Sequence, residues 1–117
     1  MNPYGKKGSP LHQKKVKEIG LQIRKKGLVA FFEYAFRING GKKKKRYADV
    51  TAFTMEKELV EIHQVGKRLK DGRPVKRERE AINDIEEHSE IKNIRVEYHT
   101  YTKIIILLVT FGLLSLF

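Results

Sequence analysis

Three side chains within residues 49–63 could do chemistry together: Asp49, Glu61 and His63. Asp49 lies between Ala48 and Val50, and Glu61 between Val60 and Ile62, so each acid interrupts a short apolar run. The stretch "LVEIHQV" alternates, placing Leu59, Glu61, His63 and Val65 on one face and Val60, Ile62 and Gln64 on the other. Two carboxylates brought to about 5 Å at their Cβ atoms repel each other, and a cation held between them removes the repulsion. Hard oxygen donors with open positions suit Mg²⁺ or Mn²⁺. A neutral His63 beside such a site could accept a proton from water or orient it, and a charged one could stabilise developing negative charge.

Whether Asp49 and Glu61 meet is a question of hairpin register. If Phe53 pairs Lys57 across a three-residue loop, Asp49 stands opposite Glu61 and Tyr47 opposite His63. If Phe53 pairs Glu58, the two acids point to opposite faces, and a bulge would change either outcome. The bland alternative is a half-exposed sheet whose solvated face carries Glu61 and His63 together for no chemical reason.

The elements that must position these residues read as an α+β domain in the order αβββαβ. Ser9 suits a helix N-cap and Pro10 the first helical position; Val16, Ile19 and Ile23 form a narrow apolar stripe, and Gly27 supplies the stop. "LVAFFEYAFRI" alternates as a strand, with Phe32, Tyr34, Phe36 and Ile38 on one side and Phe31, Glu33, Ala35 and Arg37 on the other. The turn "NGG" and the run Lys42, Lys43, Lys44 and Lys45 lead into a second strand over 47–53, and a third covers 58–65. Short loops make these three an antiparallel meander. Pro74 then opens a second helix with Val75, Ile82 and Ile85 on its apolar side, and Ile94, Val96 and Tyr98 alternate along a fourth strand. Residues 1–8 form a flexible basic lead, 9–98 the domain, and 99–117 an apolar tail. The tail "KIIILLVTFGLLSLF" admits three roles: a buried helix, a subunit interface or a membrane anchor. As a helix over 104–117 it would reach about 21 Å at 1.5 Å per residue. That is short of a hydrocarbon core of roughly 30 Å.

Charge separates these parts. Of 25 Lys and Arg and 14 acids, residues 1–46 hold 14 of the cations and 2 of the acids. The whole net charge of +11 therefore originates in the first 46 residues, which points to a polyanionic partner, nucleic acid or an acidic membrane surface. Lysines come early but no apolar run follows them, so a secretory signal is not expected. The chain has no cysteine, which excludes disulfides and thiolate chemistry and fits a reducing, cytoplasmic setting. His12, His88 and His99 have no partner at metal-ligand spacing, which argues against zinc. Phosphate-binding loops, dinucleotide fingerprints and nucleophile elbows are missing.

An acid in the second strand, Glu-x-His in the third and the order αβββαβ together resemble the PD-(D/E)XK nuclease superfamily. That group includes restriction endonucleases, archaeal Holliday-junction resolvases and VRR-NUC nucleases. The resemblance covers roughly residues 9–98. It implies a restriction-endonuclease-like core that hydrolyses phosphodiesters of DNA, including branched or nicked DNA, with Mg²⁺ or Mn²⁺, working as a homodimer. It implies that Asp49 and Glu61 bind metal, that His63 stands near the attacking water, and that Glu18 on the first helix assists, with Glu33 a second candidate. Lys42, Lys43, Lys44, Lys45 and Arg46, with Lys67, Arg68, Lys70 and Arg73 after the third strand, would hold backbone phosphates. Ala48 stands where the motif has proline, and His63 where it has lysine. A non-catalytic nucleic-acid-binding module of the same fold, and a basic protein tethered to a membrane by the tail, are the alternatives.

Overall fold

Ser9 sets where the chain enters its first helix. Its Oγ accepts the His12 amide at 3.2 Å, which satisfies one of the donors a helix start leaves open. Helix α1 (Pro10–Lys25) follows, and Gly27, at φ 81°, ends it in the left-handed conformation that glycine adopts without cost. The computed structural model describes residues 8–101. The lead before Gly8 and residues 102–117, with the roles expected of the tail, lie outside them. No helix among the described residues is long and apolar enough to cross a membrane.

Three strands, β1 (Val29–Arg37), β2 (Lys45–Phe53) and β3 (Leu59–Gly66), form the expected antiparallel meander. Helix α2 (Lys76–His88) then carries the chain across the sheet, so that β4 (Val96–Thr100) returns parallel to β3. Among the described residues the result is an α+β fold with a four-stranded mixed sheet in the order β1-β2-β3-β4 and two helices. Helix α2 starts later than Pro74 because Val75 is the N-cap and Pro74 bridges back to Arg68.

Among the described residues the core has two parts. Ile19 and Ile23 of α1 pack on Val50, Ala52 and Val65. Ile85 of α2 packs with Phe36, Ile38, Ala48 and Ile62. Fully burying a side chain such as Ile23 or Ile85 is worth about 1.5–3 kcal/mol. Ala48 and Val50 are two residues apart in one strand yet belong to different clusters, so β2 changes phase between them. The neighbouring strand changes phase at the same level. Glu33 has φ 54°, and the register passes from Phe32↔Val50 to Tyr34↔Ala48 without pairing Glu33 to Asp49. The simple alternation expected of β1 therefore fails. Phe32 turns under α1 against Gly20, while the Phe31 ring meets those of Tyr34 and Phe53.

Candidate functional site

The phase change answers why an aspartate sits in mid-strand. The β2–β3 ladder is regular from Ala52↔Glu61 to Val50↔His63 and is not continued at Asp49. At that point side chains replace the missing backbone bonds. The Asp49 amide donates to Gln64 Oε1 at 2.6 Å, and the Val65 amide donates to Asp49 Oδ2 at 2.7 Å. Asp49 is thus a bridging group between two parting strands, with His12 Nε2 of α1 3.5 Å from the same carboxylate oxygen.

The register differs from both expected pairings: Phe53 pairs Leu59, and Ala52 stands opposite Glu61. Asp49 lies three residues further along β2, about 10 Å at the rise of a strand. Glu61 is engaged elsewhere. Lys26 Nζ, just past the end of α1, donates to Glu61 Oε2 at 2.8 Å, and His63 Nε2 lies 2.8 Å from Glu61 Oε1. Glu61 and His63 are therefore together, while Asp49 is held by Gln64, Val65 and His12. Glu18 is exposed on α1 and pairs with Lys15 at 3.7 Å. Glu33 is exposed at the turning point of β1.

A cleft of about 970 Å³ opens where β2 and β3 part, between the first turns of α1 and α2. Asp49, Gln64 and His12 lie in its wall, and Glu78 of α2 joins them. Burial pushes the Glu78 carboxyl above its ordinary range, and the charge of Asp49 pushes it the same way. Lys43, Lys45, Lys67 and Arg77 line the cleft and are exposed.

The other expected phosphate contacts divide. Arg46 is buried and its Nε donates to Asp84 Oδ2 at 2.8 Å, so this guanidinium is a structural group beneath the cleft wall. Asp84, 1% exposed, also accepts the amides of Lys42 and Lys43 at 3.0 and 3.3 Å. Burial works to raise the Asp84 carboxyl, but these donors and Arg46 outweigh it and hold it below its ordinary range. The lysine turn is thus pinned to α2 by its backbone, with its side chains outward. Arg68 donates to the carbonyls of Gly72 and Tyr98 and lies over the Tyr98 ring, and Arg73 pairs with Asp71. Lys44 lines a smaller hollow with Arg37 and Asn39, and Lys70 is exposed in the loop before α2.

A second constellation lies on β3 and β4. The parallel register sets His63 beside Glu97 and Val65 beside His99. His63 Nδ1 is 2.8 Å from His99 Nε2 and 3.2 Å from Glu97 Oε2, and His99 Nε2 is 4.0 Å from that same oxygen. A proton on His63 Nε2 satisfies Glu61 and leaves the Nδ1 lone pair facing His99 and Glu97. Burial lowers the pKa of His99, and His63 lowers it further. Burial would raise Glu61, but Lys26 and His63 outweigh it and hold the carboxyl low. Lys26 is raised in return by its bond to Glu61.

Spacing along the chain hides His99 from His63, so the expectation that His99 has no partner in reach does not hold at this pair. They lie far apart in sequence and become neighbours only through the crossover. One signal does exist: Glu61-x-His63 recurs as Glu97-x-His99, and a spacing of two puts both members on one face of a strand. Glu78 has no such signal, because a glutamate in a first helical turn is ordinary. No protein-family model, curated protein or solved structure matches this chain.

Proposed function

We propose that the protein binds the backbone of DNA along the cationic cleft and hydrolyses a phosphodiester there, as a divalent-metal-dependent nuclease with a restriction-endonuclease-like core. The observation that carries this reading is that two carboxylates, Asp49 and Glu78, line one cleft together with Lys43, Lys45, Lys67 and Arg77, and that the charge of Asp49 acts on Glu78. The order αβββαβ, with β4 parallel to β3, supports the same reading.

Asp49 and Glu78 offer hard oxygen donors, which fit Mg²⁺ or Mn²⁺. Burial raises Glu78 most and the charge of Asp49 adds to it; a cation near the two acids would offset that second, repulsive part. When bound, such an ion would neutralise phosphoryl oxygens and make water a better nucleophile. The chain supplies the rest. Lys43, Lys45, Lys67 and Arg77 hold phosphates along the cleft, while Gln64 fixes the Asp49 backbone and His12 flanks its carboxylate.

One observation favours a second reading, a binding module without catalysis: Asp49 Oδ2 already accepts the Val65 amide. Plasmid nicking with and without Mg²⁺ separates the two. The nuclease reading expects metal-dependent nicking that falls at least ~100-fold in Asp49→Asn and Glu78→Gln, with DNA binding retained. Salt-sensitive binding with no nicking in Mg²⁺ or Mn²⁺ would leave the binding module, and nicking unaffected by both substitutions would overturn the site.

A further inference from the structure

We propose that His63, His99 and Glu97 form a zinc site that clamps β3 to β4, with Glu61 as the residue that orients His63. This site is separate from the cleft and does not depend on the nuclease reading. Its parts are two Glu-x-His runs laid side by side by the parallel register.

Geometry carries the assignment. A tetrahedral zinc with ligand bonds of 2.0–2.1 Å requires ligand atoms about 3.3 Å apart. The three donor atoms here stand 2.8, 3.2 and 4.0 Å from one another, and shifts of about half an ångström at side-chain ends equalise them. Two imidazole nitrogens and one carboxylate oxygen suit zinc, whereas Mg²⁺ and Ca²⁺ take oxygen. Glu61 supplies the outer contact that ligating histidines almost always have: it holds the Nε2 proton of His63 and turns the Nδ1 lone pair toward the other donors. Lys26 anchors Glu61 in turn at 2.8 Å. His63 is 4% exposed while Glu97 is exposed, so the inner wall is fixed and the outer side faces solvent, where water completes the coordination.

The test is titration of the full chain with Zn²⁺ by calorimetry, and with Co²⁺ by visible absorption, which reports nitrogen and oxygen ligands directly. One ion per chain is expected, with binding lost in His99→Ala and Glu97→Ala, both less buried than His63. Glu61→Gln is expected to weaken binding about 10- to 100-fold and to keep the Co²⁺ spectrum, as a positioning residue should. His12→Ala and His88→Ala, the remaining histidines, are expected to bind as the parent does. Absence of saturable binding, or equal binding in His99→Ala and the parent, would overturn the proposal and leave His63 and His99 as a hydrogen-bonded pair. Circular dichroism confirms that each variant is folded before it is counted.

Discussion

Gln64 Oε1 accepts the Asp49 amide at 2.6 Å where β2 and β3 cease to pair. The side chain stands in for a carbonyl that the parting strand no longer presents. Gln64→Ala removes that acceptor and is expected to cost about 1–3 kcal/mol, the penalty of an unsatisfied amide. Asp49→Ala is expected to cost a similar ~1–3 kcal/mol through the Val65 amide, and Asp49→Asn less, because it keeps an oxygen acceptor. Urea denaturation measures all three, and a parent-like midpoint for Gln64→Ala would remove the bridging role.

The Arg46–Asp84 pair predicts a pH dependence. The Asp84 carboxyl is held below its ordinary value of 3.8, so the folded state binds its proton less readily than the unfolded chain. Its contribution is therefore fully present above that value and is lost as pH falls through the lower folded one. Removing one partner of a buried pair costs about 3–5 kcal/mol, so Asp84→Ala should unfold readily at neutral pH. Denaturation midpoints of the parent and Asp84→Asn, compared across the acid range, should converge at low pH.

Gly41 lies against α2 with no room for a side chain. A Cβ there would overlap the Asp84 carboxylate and Ile38, displacing the group that pins the lysine turn. Gly41→Ala is expected to destabilise by about 1–3 kcal/mol, the cost of overpacking. Gly72→Ala, where a Cβ meets nothing but φ is 90°, pays a backbone cost alone. Thermal unfolding of both variants reads the difference, and an unchanged Tm for Gly41→Ala contradicts the packing described.

The cations should separate by salt dependence. Lys67 is exposed on the cleft, so Lys67→Ala should lower the slope of log affinity for DNA against log salt by about 1 without changing Tm. Arg46→Ala should lose stability instead, because its guanidinium is buried on Asp84. A Lys67→Ala slope equal to the parent's would remove that residue from the interface.

Much of the architecture was legible in the sequence because local chemistry fixes it. Ser9 and Gly27 bound α1, and the short loops dictate the meander. The register was not legible, because it turns on where one irregularity falls. The bulge between Ala52 and Phe53 moves every later pair, and the phase change at Glu33 and Asp49 reverses which face follows. Glu61 and His63 were readable as neighbours since a spacing of two within one strand suffices, whereas Glu78 and His99 approach only through α2 and the parallel return. Arg46 shows the same limit from the other side. Its place in a basic run suggests phosphate, and only the packing of α2 reveals the carboxylate that takes it.

The crossover between β3 and β4 also sets how much chain must be gathered before the second constellation exists. The hairpins β1–β2 and β2–β3 close over short loops, but His63 and His99 meet only after the whole excursion through α2 has docked. Closing so long an excursion costs more chain entropy than closing the hairpins. The paired imidazoles are in effect a completion mark: they are brought together only by the pairing of β4 with β3, which the meander alone does not supply.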